Sequence, residues 1–388
     1  MHSFSEIITD PVYRHPLKYN WYQRFWLKHM NDKRDLPFIS LLTIIHFTII
    51  PAAIVLYTPL LHGIWWWTSA FIYFYFSQFY FKGSFGLMLH CLCHRKTFKT
   101  YPKTITKYIH WFVCPFFGHL GDGYFSHHMG MHHIESNMPD DTSSTMGYQR
   151  DSLKHFLKYW IRFMLTGVQD TFLYLRNKKR KKLYMQLSLN EVFFWVIVAA
   201  LCFVNLKATL LIFIIPLLFA RLVMMVGNWA QHAFVDPDKP ENDLASTITC
   251  LNTTYNHKCW NDGYHTIHHI RPGAHYTEYP VIFRENILQI AMSRTLVFEK
   301  IHYLHIFFYL VTKRYDKLAA NLVNINQAFQ NDADAIALMK SRTRKFNSDR
   351  LIVLTTSALP VALITSEHSI KNTIQKNKVN TKQINFAQ

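Results

Sequence analysis

Four almost uncharged apolar runs interrupt an otherwise polar, basic chain: residues 38–57, 64–82, 190–206 and 208–227. The first carries no charge and has the ~20 residues that a helix needs to cross the hydrocarbon of a bilayer. Pro51 within it predicts a kink, which membrane helices tolerate. A short uncharged link through Pro59 and Gly63 leads to the second run, opened by Trp65, Trp66 and Trp67, an aromatic anchor of the interfacial kind. The third and fourth runs are separated by little more than Lys207, so each pair predicts a tight helical hairpin. The third is short for a span and Arg221 interrupts the fourth. Both features follow if the fourth helix leaves the membrane near Arg221 and continues into water; a buried soluble hairpin is the alternative.

Lysine and arginine crowd residues 14–34, the loop 82–190 and the region after Arg271, whereas the hairpin turns carry almost none beyond Lys207. The positive-inside rule then places both termini and the long central loop in the cytosol. The expected fold is an all-α integral membrane protein, multi-pass, with four transmembrane helices in two hairpins beneath a cytosolic helical cap. Residues 1–37 form a basic N-terminal segment, 38–330 the membrane domain, and 331–388 a polar tail with a short apolar patch at 351–365. Within the central loop, residues 108–120, with Trp111, Phe112, Phe116 and Phe117, are apolar but too short to span. They are expected to lie on the membrane as an interfacial helix. No internal repeat is visible.

The 388 residues are 50% hydrophobic and 16% aromatic, with a formal charge of +18. Such a charge could signal a nucleic-acid partner, but the basic residues flank apolar runs, as an anionic leaflet requires, and no nucleic-acid-binding motif accompanies them. A membrane and no nucleic acid is the expectation. The six cysteines form neither a zinc pattern nor a plausible disulfide ladder, which fits a reducing compartment. No secretory signal or transit peptide is expected, because the first long apolar run begins only near Phe38.

Among the 23 histidines, spacing matters more than number. His90 and His94 stand one helical turn apart just past the second run, close enough to grip one ion. The second cluster is His127-His128-Met129-Gly130-Met131-His132-His133, in which His128 and His132 repeat that spacing and His127 is the alternative to His128. The third is His265, His268 and His269, on one face of one helix. Asn228 and His232, again a turn apart, close the fourth run. At ~1.5 Å per residue His232 lies roughly 16 Å beyond Arg221, far enough out of the membrane to meet the other clusters. His2, His15, His29, His46, His62, His302, His305 and His368 read as surface or structural residues. His90, His94, His128, His132, His133, His232, His265, His268 and His269 are too many ligands for one zinc, which takes about four. They suit two first-row ions, although imidazole by itself accepts iron, copper, nickel or zinc.

The pattern of His90-x-x-x-His94, His128-x-x-x-His132-His133 and His265-x-x-His268-His269, interleaved with two hydrophobic hairpins, resembles the membrane fatty acid desaturase family, the three-histidine-box di-iron superfamily. The resemblance covers roughly residues 38–280. It extends to His232 and Asn228, which resemble the family's extra histidine and water-bridging asparagine. It implies two iron ions (Fe2+/Fe3+) held by those ten residues on the cytosolic side of the membrane, commonly the endoplasmic reticulum. It also implies a lipid acyl substrate, O2, and a separate electron donor such as cytochrome b5 or ferredoxin, since no cytochrome b5 domain is visible. The second box has three residues, not two, between its first histidine and the pair, a variant that the family tolerates.

The implied reaction is O2-dependent desaturation of a fatty acyl chain. A hydroxylase or ketolase on the same scaffold is the alternative, distinguished by product mass. A metal transporter or sensor is disfavoured because every cluster lies outside the apolar runs. Phe71, Phe74, Phe76 and Phe79 are candidates to line an acyl slot. Asp122, Glu135, Asp140, Asp141, Asp236 and Asp262 are candidates to accept the second N–H of a ligating imidazole. Arg95, Lys96 and Arg271 could meet a lipid headgroup, a CoA phosphate or an acidic redox partner.

Overall fold

The first apolar run folds as two helices, Leu36–Phe47 and Ile49–Tyr57, that meet at Thr48 (φ −123°, ψ −65°). Pro51 explains the break: its ring collides with the carbonyl four residues earlier, on Phe47, and it has no N–H to give. This computed structural model describes residues 8–99, 103–347 and 349–355, and the described chain is predominantly helical. After a turn the chain returns as the helix Gly63–Tyr75, and Trp66 Nε1 donates to Leu56 O across the turn (3.0 Å). One π-helical turn, Phe76–Tyr80, leads into a further helix, Lys82–His94. The second apolar run therefore continues as far as the first histidine pair.

The third and fourth runs form Lys181–Thr209, a π turn Leu210–Ile214, and Ile215–Gln231. Asn205 (φ −158°, ψ 96°) breaks this course, and its Oδ1 caps the next stretch by accepting from Ala208 N (3.1 Å). Arg221 Nη2 lies 3.6 Å from Glu191 Oε1, and the two residues are nearly equidistant from Asn205, so the chain folds back on itself as a hairpin. The turns of the two hairpins meet, with Tyr57 OH 2.8 Å from Thr209 Oγ1 and Lys207 Nζ 3.6 Å from the centroid of the Trp66 ring. Two stretches, Lys33–Tyr57 and Lys181–Gln231, are long and apolar enough to cross a membrane. The expected second crossing, residues 64–82, comprises the 13-residue helix Gly63–Tyr75 and the π turn Phe76–Tyr80, and the helix Lys82–His94 begins where it ends.

Residues 108–120 do not lie on the surface as expected. Ile109, Val113, Cys114, Phe117 and Leu120 are buried in the larger of the two main cores, and only Tyr108 and Phe112 of its large apolar residues are exposed. A segment that is apolar all round has no wet face to offer, so the interior takes it. The buried Gln78 and Lys82 donate to the Phe116 and Phe117 carbonyls (3.0 and 2.6 Å) at its end. Gly118 turns the chain away with φ +69°; a Cβ there would stand 1.9 Å from Pro216 O, so only glycine allows this approach.

The second core lies beside the histidine region. It joins the 25-residue amphipathic helix Leu153–Asn177, the Ile215–Gln231 helix, the helices Tyr303–Val311 and Tyr315–Ala320, and a two-stranded sheet. In that sheet Ile248–Leu251 pairs in parallel with Leu296–Glu299, in the register Ile248↔Leu296 to Leu251↔Glu299. The all-helical expectation did not include these strands, which are short buried apolar runs with no periodicity of their own. The polar stretch from residue 331 contains one packed helix, Asp332–Arg342, which buries Ala335 and Met339 in the second core. Leu351 and Leu354 pack near Met146, Val235 and Phe346. The rest of the expected tail, with residues 356–365 of its apolar patch and His368, lies outside the described residues, as does His2.

Candidate metal centre

Four pieces of chain deliver nine imidazoles to one buried place. The last turn of Lys82–His94 presents His90 and His94, with ring centroids 5.0 Å apart. The second box is not a regular helix: Gly121–His127 passes into a π turn, His128–His132. A π turn aligns residues five apart rather than four. His128 and His133 consequently face each other, Nε2 to Nε2 at 3.1 Å, while His132 points elsewhere. The helix His265–Ile270 divides in the same way, with His268 to one side and His265 and His269 to the other. His232 is the residue that ends Ile215–Gln231, with φ −114° and ψ 30°.

Two groups result. His90, His94, His128, His133 and His268 have ligand atoms within 4.8 Å of one another, as do His132, His232 and His269. His265 joins the second group through an Nε2–Nε2 separation of 3.1 Å from His232. The groups are adjacent, with the His128 and His132 rings 5.6 Å apart and those of His133 and His269 5.3 Å apart. The one-turn pairing of His128 with His132, expected from spacing, is thus replaced by one in which each box serves both groups or a single group only. His128 takes the place in the first group, not His127, whose Nδ1 lies 3.4 Å from Thr171 Oγ1.

Within the first group, the Nε2 atoms of His90 and His268, His94 and His128, and His133 and His268 are 3.0, 2.9 and 2.9 Å apart. Two nitrogens bound at right angles to one ion by ~2.1 Å bonds stand ~3.0 Å apart, against ~3.4 Å for tetrahedral ligation. Four of the ten nitrogen pairs in this group, counting His128 with His133, stand near the right-angle spacing. Protonation is suppressed as ligation requires. Burial and then the other imidazoles hold His94 down at about 2, and they keep His128, His133, His232, His265 and His268 far below the usual histidine range.

Second hydrogen bonds fix the rings. His132 Nδ1 lies 2.7 Å from Asp141 Oδ2, and Asp141 also accepts from Asn137 N, Ser143 N and Ser143 Oγ. Burial raises the affinity of this carboxyl for a proton, but His132 and these donors outweigh it and keep Asp141 ionised. His90 Nδ1 is 3.5 Å from Asp262, and His268 Nδ1 is 3.1 Å from Tyr279 OH. His269 Nδ1 sits between Asp243 Oδ1 (3.2 Å) and Ser136 Oγ (3.1 Å), leaving its buried Nε2 without a hydrogen-bond partner.

Of the six acidic candidates, Asp141 and Asp262 reach histidines of the two groups. Asp122 is occupied by His110 and Trp111, Glu135 by Tyr174 and Lys178, Asp140 by Lys178, and Asp236 by Arg342. Asp243, Ser136 and Tyr279 went unseen in the sequence because nothing in their spacing ties them to a box. Asn228 is not among the clustered donors. Its Nδ2 donates to Ser143 O (2.9 Å) and Tyr159 OH (2.8 Å), so it touches the second group through Ser143 and Asp141. Phe71 and Phe79 are 72% and 61% exposed and face away from the interior rather than into a slot.

Two cavities flank the imidazoles. One lies against the first group between Trp260, Tyr276 and Tyr279. The other, about 70 Å3, lies between Gly118–His127, Leu153–Asn177 and the second hairpin, and its wall includes Tyr124, whose ring stacks on His128 (5.4 Å, 13°).

Residues 64–300, which contain all nine histidines, match the fatty acid desaturase family. The chain belongs to that family. A search of curated proteins and one of solved structures each returned no match. Membership places the chain among metal-dependent desaturase- and hydroxylase-type enzymes that act on lipids with O2, and its apolar helices accord with a membrane protein.

Proposed function

We propose that this chain is an O2-dependent di-iron desaturase that introduces a double bond into the acyl chain of a lipid. The observation that carries the reading is the pair of adjacent imidazole groups, five in one and four in the other, with seven of the nine rings buried. The ten residues of the expected ligand set, Asn228 included, would serve two irons, with Asn228 acting from the second side through its carbonyl oxygen. Bound there, the irons would supply reduction of O2 coupled to removal of hydrogen from saturated carbon. The balance is one O2, two electrons and two protons taken up, one C=C bond formed, and two waters released.

The chain's own residues do the rest. Asp141, Asp243 and Tyr279 hold the rings so that the ligating nitrogens face inward. Burial keeps water from all of the nine imidazoles but the half-buried His94 and His133. The stacked Tyr124 shields His128 on the side of the second cavity, through which an acyl chain would approach.

In this reading four segments cross the membrane, at residues 38–57, 64–82, 190–206 and 208–227. Both termini and the histidine region then lie on the cytosolic side, in the endoplasmic reticulum, with electrons from a separate donor such as cytochrome b5 or ferredoxin. Positive-inside flanking and the continuation of Lys82–His94 and Ile215–Gln231 beyond the apolar runs support this placement.

The test is turnover in nanodiscs with a reductase chain, read by product mass and iron content. Loss of two hydrogens from the lipid and about two irons per chain are expected; gain of one oxygen would instead assign a hydroxylase. His132→Ala and His268→Ala, one in each group, should each abolish turnover while membrane insertion persists. Full activity in either variant would overturn the assignment.

A further inference from the structure

The second cavity carries a polar pair that the metal chemistry does not use. Arg221 and Glu191 face each other across the second hairpin at 3.6 Å, longer than a hydrogen bond, with side chains only 17% and 15% exposed. Among the described residues the Arg221 guanidinium makes no hydrogen bond, and Glu191 accepts only from Trp195 Nε1 (3.2 Å). A guanidinium has five donors and no acceptor, and a carboxylate only acceptors. Both are therefore under-satisfied where they line the cavity. Across from them, the Tyr124 hydroxyl and the His119 ring also lack hydrogen-bond partners among the described residues. His127 and Thr171, 3.4 Å apart, also reach the wall, and the rest of it is apolar, chiefly Leu120, Phe163, Leu187 and Leu217. An apolar cavity with a few convergent polar groups is the common form of a small-ligand site.

We propose that this cavity recognises the head of an uncharged lipid bearing both a hydrogen-bond donor and an acceptor, a long-chain N-acyl amide, with Arg221 and Glu191 as the recognition pair. The proposal rests on reading the chain as a lipid-modifying enzyme. A neutral donor–acceptor group bridges the pair and satisfies both members. An anion would meet Glu191, and a cation would meet Arg221. Among the described residues Arg221 is the only lysine or arginine in the lining, and Glu191 balances it, so this lining offers no clamp for the several phosphate charges of an acyl-CoA. Exposed Trp195 beside Glu191 marks the level of the membrane interface, where the head of a membrane lipid sits. From that level the cavity leads inward to Tyr124 on His128, the direction in which the acyl chain would run.

The test is binding of tritiated N-palmitoylethanolamine to the full chain, as purified, in phosphatidylcholine nanodiscs without reductant, so that no turnover occurs. Saturable binding is expected, with palmitoyl-CoA and palmitic acid competing poorly. Arg221→Gln and Glu191→Gln should each weaken it ~10-fold or more, the value of one hydrogen bond to a charged group. Palmitoyl-CoA displacing the probe at equal or lower concentration, or unchanged binding in both variants, overturns the proposal. If a variant fails to fold, a diazirine at the chain terminus of the same probe decides on the wild-type protein. Labelling of the peptides around Tyr124 and His128 supports the proposal, and labelling confined elsewhere overturns it. Binding without O2-dependent turnover would count against the enzymatic reading alone, and turnover without binding against this inference alone.

Discussion

Replacing Asp141 by asparagine isolates the role of the ring-orienting carboxylate, because it changes one atom's identity and almost no volume. All of the Asp141 partners are donors: His132 Nδ1, Asn137 N, Ser143 N and Ser143 Oγ. The amide must therefore aim its NH2 at a donor whichever way it turns. Facing Ser143, it loses the contact at 2.8 Å with the backbone N–H, which cannot become an acceptor. Facing His132, it forces the ring to carry its proton on Nε2, the atom needed for the ion. Either outcome removes a hydrogen bond to a charged group, worth ~1.5–3 kcal/mol, or ~10–100-fold in affinity, the range known for loss of such outer partners. Iron affinity measured by chelator competition on the membrane-reconstituted protein should fall by that factor, with turnover reduced at limiting iron and restored in part by excess. Wild-type iron affinity in Asp141→Asn would refute the claim that Asp141 fixes the tautomer of His132.

Acid should destabilise the metal-depleted protein. Burial holds His94 at about 2, His119 at about 3 and His127 at about 4, while the unfolded chain takes up those protons near pH 6.5. Below about pH 6.5 the unfolded state binds more protons, so stability falls by up to ~1.4 kcal/mol per pH unit for each such histidine. Thermal melts between about pH 7 and pH 5 should show a steep decline, and a flat profile would contradict it. Arg150 is fully buried and donates to the Ala233, Thr145, Met146, Tyr148, Arg342 and Arg344 carbonyls. Arg150→Met should cost ~3 kcal/mol or more, measured as lost thermal stability, because it strands carbonyls that join the second box to the end of the fourth helix. His127→Ala should retain iron and much of the activity while His128→Ala loses both; iron content of the two purified variants distinguishes them.

The family was legible because it is written in local spacing. His90 and His94 share a helical turn wherever that helix goes, and the apolar runs announce themselves by composition. Interior packing was less legible. Residues 108–120 read as a surface helix because an apolar segment too short to span has the same composition in a core and at an interface. The strands Ile248–Leu251 and Leu296–Glu299 were missed because fully buried strands lack alternation. The helix Leu153–Asn177, although amphipathic, carries no histidine box and went unremarked, yet its Phe163, Gly167 and Thr171 wall the second cavity.

By itself the sequence singled out the histidine clusters, since their types and intervals depend on nothing remote, but it left His127 open as the alternative to His128. It could not determine their partition. A single π turn separates His132 from His128 and His133, and the third box divides His268 from His265 and His269. A shift of one residue per turn is a matter of backbone hydrogen bonding under tertiary restraint, invisible to any count along the chain. Which carboxylates orient the rings was likewise decided by folding, because Asp243 meets His269, 26 positions away, only after the chain has closed around both groups.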